Sequence, residues 1–136
     1  MRSHSILVSV PFHDVDSMQI VWHGHYVKYF ELARCALLES FNYGYRQMRE
    51  SGFGWPVVDL HVRYARPLAF EQEFRVTARL TEWESRLKVT YEIHDTKLGV
   101  RLTSGSTTQV AVDLKTGETL FASPPVLFER LGLVVP

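Results

Sequence analysis

The sequence predicts an α+β fold in which an antiparallel sheet wraps around one long helix. Two observations lead to this prediction. One stretch near the N-terminus has the apolar spacing of a helix, and most of the chain after it alternates apolar and polar residues as strands do. The length of 136 residues fits one domain with a substantial core. We therefore expect residues 1–136 to form a single domain, in which the sheet covers the broad apolar face of the helix.

The first predicted element is a strand at residues 5–12, where Ile6, Val8 and Val10 alternate with polar or small residues. Aspartate and serine are common in turns, so residues 14–17 favour a loop after this strand.

The long helix is predicted over residues 25–41. Lys28, Glu31 and Glu39 lie mostly on one side of this helix, and the apolar residues recur every three or four positions on the other. The apolar set is Tyr26, Tyr29, Phe30, Ala33, Leu37 and Phe41. A short second helix is expected at residues 45–52.

The rest of the chain has a two-residue period and predicts antiparallel strands separated by turns. The predicted strands are residues 58–64, 74–80, 87–93, 100–114 and the short segment ETLFA at 118–122.

The composition argues against several classes of protein. Fifteen Lys and Arg residues balance fifteen Asp and Glu residues, whereas a general nucleic-acid binder usually has a basic excess. The single cysteine, Cys35, rules out an intrachain disulfide and reads as a small buried hydrophobic residue. We find neither a signal peptide nor a run long enough to span a membrane, so we expect a cytoplasmic protein.

The segment FHDVDSMQIVWHGHY, residues 12–26, leads into the long helix and contains two aspartates and three histidines. Such side chains are costly to bury unless they are paired. The N-terminus of a helix offers unpaired N–H groups and a partial positive charge, which can stabilise a carboxylate, a phosphate or an oxyanion. We therefore predict that the loop from His13 to Trp22 is the lip of a site at the start of the helix.

The same segment resembles the signature of the hotdog-fold thioesterases of the 4-hydroxybenzoyl-CoA thioesterase family. That signature is an aromatic residue, x, Asp, x, Asp, x, x, Gly, an apolar pair, an aromatic residue, His or Tyr, x, x and Tyr. Its second Asp falls on Asp16, its second aromatic residue on Trp22, its His or Tyr on His23 and its last Tyr on Tyr26. The similarity continues through KYFELAR, RYARPL and VAVD, while Gln19 stands where most members have Gly.

The resemblance implies a hotdog fold, with an antiparallel sheet wrapped around one central helix, and a single hotdog thioesterase domain. It implies a homodimer or homotetramer with active sites at the dimer interface. The implied reaction is hydrolysis of an acyl thioester, carried by CoA or by an acyl carrier protein, to a free acid and a thiol. No cofactor and no metal ion are expected.

Thioester hydrolysis needs a nucleophile or a base, together with donors for the developing oxyanion. The resemblance implies that Asp16 attacks the carbonyl carbon or activates water, and that backbone N–H groups around His23 and Gly24 form the oxyanion hole. The positive end of the helix lowers the basicity of Asp16, which slightly favours direct attack. The structural alternative for Asp16 is a solvated turn or capping residue.

The neighbouring residues leave further alternatives open. His23 could orient water or substrate, protonate the departing thiolate, or contribute its backbone alone. Trp22 and Gln19 are candidates for positioning the substrate, although core packing is the default for aromatic residues at this spacing. Asp14 is expected to hold the loop by accepting hydrogen bonds from backbone N–H groups. Five basic residues are candidates for binding CoA phosphates: Arg63, Arg66, Arg86, Lys88 and Arg101.

Three competing hypotheses concern the whole site. His23 and His25 together with an aspartate could bind a metal ion, but residues two apart at a helix start point in different directions. A hotdog-fold dehydratase acting on acyl-carrier substrates would use a histidine and an acid. A non-catalytic acyl-binding module is the third hypothesis, and Gln19 in place of Gly is the feature that favours it.

Overall fold

The computed structural model describes residues 2–136, and its main feature is a five-stranded antiparallel sheet beside one long helix. The strands of the chain are β1 (Ser3–Ser9), β2 (Phe53–Gly54), β3 (Val57–Tyr64), β4 (Glu73–Glu82), β5 (Leu87–Asp95), β6 (Arg101–Gln109) and β7 (Val112–Asp113). The main sheet has the order β1-β4-β5-β6-β3, so that β1 and β3 are its edges, and β2 pairs with β7 separately.

Within the described residues three α-helices accompany the sheet: α1 (Tyr26–Glu39), α2 (Tyr45–Glu50) and α3 (Pro125–Leu131). Short 3-10 turns occur at Phe12–Asp14 and His23–His25, and the second of these runs directly into α1. No helix within residues 2–136 combines the length and the apolar character that are needed to cross a bilayer.

The helix α1 lies so close to the sheet that one strand position must be glycine. The Phe30 ring stacks on the Tyr91 ring, with centroids 4.4 Å apart and planes 5° apart. A Cβ atom on Gly105 would lie 2.5 Å from both the Phe30 ring and the carbonyl oxygen of His61. The α1 side of the sheet and the buried face of α1 therefore form one core, and together they make the hotdog fold that the resemblance implies.

The edge strand β3 is not covered on the side that faces α1. Leu60, Val62 and Tyr64 pair with residues of β6 that include Gly105, so their side chains share the α1 side of the sheet. Yet Leu60 is 44% exposed and Tyr64 is 47% exposed, whereas every apolar side chain on this face of β5 is buried. The protomer therefore presents an apolar edge and an unfinished core beside β3.

The structure confirms the long helix, the second helix and the main strands, and it corrects the end of the chain. Residues 100–114 form β6 and the separate two-residue strand β7, and within 118–122 only Thr119 makes a bridge, to Val112. The helix α3 was not predicted. It starts at Pro125, the second of two consecutive prolines, and buries Leu127, Phe128 and Leu131.

Candidate active site

The lip of the predicted site contains a tight turn over Asp16–Gln19. The N–H of Gln19 donates to the Asp16 carbonyl at 2.9 Å, and the N–H of Met18 donates to Oδ1 of the Asp16 carboxylate at 2.8 Å. Gln19 has a φ of 65°, in the left-handed region that favours glycine. This explains why the family pattern has Gly at this position, and the turn forms here with Gln at a cost of about 1 kcal/mol.

The carboxylate of Asp16 is exposed on this turn. Its hydrogen bond to Met18 uses one oxygen, and within residues 2–136 no side chain donates to the other. The same part of the chain contains no hydrogen bond between Asp16 and His23, Gly24 or Trp22. Asp16 therefore has a carboxylate oxygen that is free to meet a substrate or a water molecule.

Asp14, two residues earlier, is a buried residue of the lip. Lys28 Nζ donates to its Oδ1 and Tyr29 Oη donates to its Oδ2, each at 2.6 Å. Burial alone would raise the pKa of Asp14, but the hydrogen bonds from Lys28 and Tyr29 outweigh it and lower the pKa below its usual value. Asp14 thus holds the lip against α1, through side chains rather than through the backbone N–H groups that we expected.

The entrance of α1 presents two unpaired backbone donors. The 3-10 turn closes with a hydrogen bond from the His25 N–H to the Trp22 carbonyl at 3.0 Å. Within residues 2–136, no acceptor is present for the N–H groups of His23 and Gly24. Tyr64 Oη donates to the carbonyl oxygen of His23 at 2.6 Å. The backbone at this point has the donors that an oxyanion hole requires.

The indole of Trp22 covers this entrance. It lies over Gly24, where a Cβ atom would overlap the ring, and its centroid is 4.9 Å from His23 and 5.4 Å from His25. Trp22 is 50% exposed, so core packing is the wrong interpretation for this residue. Core packing is confirmed for Tyr29 and Phe30, which are buried.

Across residues 2–136, no three Asp, Glu, His or Cys side chains are grouped as metal ligands would be.

A cavity of about 390 Å³ opens beside the entrance, between the end of the lip and the end of β3. Its lining residues are Ile20, Val21, His23, Tyr26, Tyr64, Ala65, Arg66 and Pro67. His23 is thus the predicted site residue that lines the cavity. Trp22 and Gly24 contact one another next to His23 but do not line the cavity. Asp16 and Gln19 lie on the turn and do not line the cavity either.

Comparison with known proteins identifies the family. The sequence profile of the thioesterase-like superfamily matches residues 10–131. The chain belongs to the thioesterase-like superfamily. It is 32% identical to a candidate esterase of Synechocystis sp., over 93% of this chain and 76% of that protein. It is 29% identical to a candidate acyl-CoA thioesterase of Bacillus subtilis, over 64% of this chain and 62% of that protein.

A solved structure supports this membership. The DHNA-CoA thioesterase of Staphylococcus aureus superposes on this thioesterase-like chain with a TM-score of 0.85, at 25% identity, covering 97% of this chain and 90% of that one. The family resemblance and the hotdog fold are therefore confirmed, whereas the roles of Asp16, His23, Gly24, Trp22 and Gln19 remain predictions.

Two contributors to the site were missed in the sequence. Lys28 is exposed on the charged side of the helix, as predicted, but the helical pattern does not reveal that its ammonium group binds Asp14. Tyr64 lies in the RYARPL segment, which was recognised only as part of the resemblance. An alternating strand pattern does not reveal that a tyrosine at the last position of an edge strand reaches a helix start.

Proposed function

We propose that this protein is a thioesterase that hydrolyses an acyl-CoA thioester to a free acid and CoA. The observation that carries this proposal is the pair of unpaired N–H groups, on His23 and Gly24, beside the cavity at the start of α1. Membership of the thioesterase-like superfamily supports it. An acyl carrier protein in place of CoA is the alternative carrier of the acyl group.

In the proposed reaction Asp16 acts on the thioester carbonyl while the two N–H groups hold its oxygen. In the direct version, a carboxylate oxygen of Asp16 bonds to the carbonyl carbon, the C–S bond breaks, and water then hydrolyses the resulting anhydride to restore the carboxylate. In the general-base version, Asp16 takes a proton from the attacking water. The thiolate needs little help to leave because free thiols ionise near a pKa of about 8.5.

The other site residues take supporting roles in this proposal. His23 orients water or substrate, or protonates the departing thiolate, since its imidazole faces the cavity. Trp22 covers the donors and excludes water from one side of them. Gln19 shapes the turn that carries Asp16.

Arg66 is our candidate for binding the phosphates of CoA because it lines the cavity. Two other basic candidates already have carboxylate partners. Arg86 Nε lies 2.7 Å from Glu82, and Arg101 Nη1 lies 3.3 Å from Glu92.

We further propose that the protein works as a homodimer, or a homotetramer built from it, in which β3 pairs with β3 of a second copy. The exposed apolar side chains of β3 and the unfinished core beside it support this arrangement. Because Tyr64 and the cavity lie at the end of β3, a second copy on this edge would also close the site.

The test is thiol release from a panel of acyl-CoA substrates by the wild-type protein and by Asp16→Asn. This variant keeps the size of the side chain but removes its charge and nucleophilicity, so we expect kcat to fall at least about 100-fold while KM changes little. Glu118→Gln is the matched control, because Glu118 is an exposed carboxylate that follows β7 and does not line the cavity, and its kcat should stay at the wild-type value.

Two outcomes would contradict the proposal. If Asp16→Asn hydrolyses a good substrate at close to the wild-type rate, the carboxylate is structural and both versions of the mechanism fail. If the wild-type protein binds acyl-CoA but releases no thiol from either acyl-CoA or acyl carrier protein, it is an acyl-binding module.

A further inference from the structure

Tyr64 reaches from the last position of the edge strand to the entrance of α1. Its hydroxyl donates to the His23 carbonyl at 2.6 Å, and its ring meets the Tyr26 ring edge to face, with centroids 4.9 Å apart. Tyr26 is itself fixed, since its hydroxyl accepts from the Leu68 N–H at 3.1 Å. The phenol of Tyr64 is therefore held in one orientation although almost half of the residue is exposed.

We propose that Tyr64 is a positioning residue that aims the Gly24 N–H at the developing oxyanion. This inference rests on the proposed function. The His23 carbonyl and the Gly24 N–H belong to one planar trans peptide, so the two groups point in opposite directions. A hydrogen bond that fixes the carbonyl oxygen on the sheet side therefore fixes the direction of the N–H on the other side.

The preceding peptide is fixed in the same manner from within the turn. The Trp22 carbonyl accepts from the His25 N–H at 3.0 Å, and this sets the direction of the His23 N–H. The two donors of the proposed oxyanion hole are thus oriented by two different elements. The first depends on the 3-10 turn itself, and the second depends on a side chain of β3.

The chemistry of the phenol suits this role. Burial raises the pKa of Tyr64, so its hydroxyl stays protonated and remains a donor at neutral pH. A donor on a carbonyl oxygen also polarises the whole peptide group, which makes the N–H of Gly24 a stronger donor. Preorganised donors of this kind act in the transition state rather than in substrate binding.

The first test compares Tyr64→Phe with the wild-type protein in the thiol-release assay. The variant keeps the ring and its contact with Tyr26 but removes the hydroxyl. Loss of a whole oxyanion donor costs roughly 100- to 1,000-fold in kcat, so we expect a misaimed donor to cost about 10-fold or more, with KM within about twofold. The control is Tyr43→Phe, which removes a hydroxyl that accepts from Trp55 Nε1 far from the cavity and should keep its kcat.

A second readout separates positioning from packing. A trifluoromethyl ketone thioether of CoA can present an oxyanion to the site, whereas the matching S-alkyl thioether has no carbonyl group. Tyr64→Phe should weaken inhibition by the ketone by about the same factor as it lowers kcat/KM, and it should leave inhibition by the thioether unchanged. A merely structural role would affect both inhibitors alike.

A third readout does not depend on activity. Gly24 is one of eight glycines, whose amide signals fall in a sparse region of a nitrogen–proton correlation spectrum. In Tyr64→Phe the Gly24 signal should shift, while those of Gly52 and Gly117 should stay in place and report that the fold is intact.

The outcomes separate this inference from the proposed function. If Tyr64→Phe retains the wild-type kcat, or loses kcat while the Gly24 signal stays in place, the positioning role is wrong. In either case, loss of activity in Asp16→Asn in the same assay would still support the thioesterase.

Discussion

At the scale of single residues, the two aspartates of the lip have opposite environments although they are two positions apart. Asp14 is buried and accepts from Lys28 and Tyr29. Asp16 is exposed and accepts from one backbone N–H of its own turn. A buried carboxylate that accepts two side-chain hydrogen bonds stabilises the fold. A carboxylate with an unpaired oxygen can still contact a substrate or a water molecule. These environments support a structural role for Asp14 and leave Asp16 available for the reactive role that we propose.

The role of Asp14 predicts a pH-dependent loss of stability. The pKa of Asp14 is lower in the folded state than in the unfolded chain, where an aspartate has a pKa of about 3.9. The ionised side chain therefore stabilises the fold at any pH above about 3.9. This stabilisation is lost as the pH falls through the pKa of the folded state. Asp14→Asn should cost about 2 kcal/mol of unfolding free energy at pH 7. The Tm difference from wild type should shrink below about pH 4, where a protonated Asp14 resembles Asn.

Thermal unfolding of both proteins between pH 7 and pH 3 measures this effect. A Tm difference that stays constant over that range would show that the charge of Asp14 does not stabilise the fold. Glu82→Gln is the control, because a hydrogen bond from Arg86 also lowers the pKa of Glu82, but this exposed pair lies at the end of β4 opposite the lip. It should change Tm little at any pH.

The sequence predicted the location of these residues better than their contacts. The pattern located Gln19 at a position where most family members have Gly, and the structure gives this residue the left-handed backbone that favours glycine. The partners of Asp14 lie 14 and 15 residues away and depend on how the lip folds back over α1. Periodicity also assigned Trp22 to the core by default, because it does not show that the chain turns before the helix begins.

At the scale of elements, the contact between α1 and β6 depends on the absence of a side chain at Gly105. Gly105→Ala would place a methyl group against both the Phe30 ring and the His61 carbonyl. Since one of these neighbours is backbone, the clash cannot be relieved by a rotamer change alone. We expect a destabilisation of about 3 kcal/mol, measured by denaturant unfolding.

The control for this prediction is Ser104→Ala, one position earlier on the same strand, where the side chain points to the other face of the sheet. It should change the unfolding free energy by less than about 0.5 kcal/mol. Equal effects of the two substitutions would mean that strand propensity, rather than the contact with α1, decides the stability.

Helices and strands were predictable from the sequence where their apolar pattern repeats several times. The helix α1 and the strands β3, β4 and β5 each repeat their period several times, so their existence was correct and their ends moved by a few residues. The helix α3 has seven residues, of which Pro125 is the first, so it offers less than two full periods. Its stability comes from burying Leu127, Phe128 and Leu131 against the rest of the core, which is tertiary information.

At the scale of the whole molecule, the unfinished edge at β3 predicts a dimer. We expect light scattering at micromolar concentration to give at least twice the mass of the 15.7 kDa chain. Leu60→Lys places a charge on the exposed apolar edge and should produce monomers that have lost most thioesterase activity, although Asp16, His23 and Tyr64 are unchanged.

Leu98→Lys is the matched control, because Leu98 is an exposed leucine in the turn between β5 and β6, away from this edge. It should leave both the mass and the activity at wild-type values. A fully active wild-type monomer would contradict both the dimer and the proposal that a second copy closes the site.

The hold of Asp14 on α1 has a consequence for the order in which the chain folds. Its two side-chain bonds span only 14 and 15 residues, whereas the sheet pairs β1 with β4 across about seventy. Short-range contacts need little loop-closure entropy and form early, while long-range strand pairing is slow. The lip and the first turns of α1 therefore form a local unit that can assemble before the sheet is complete. The surface that we propose to bind the thioester would then take shape ahead of the strand edge that we propose to close it.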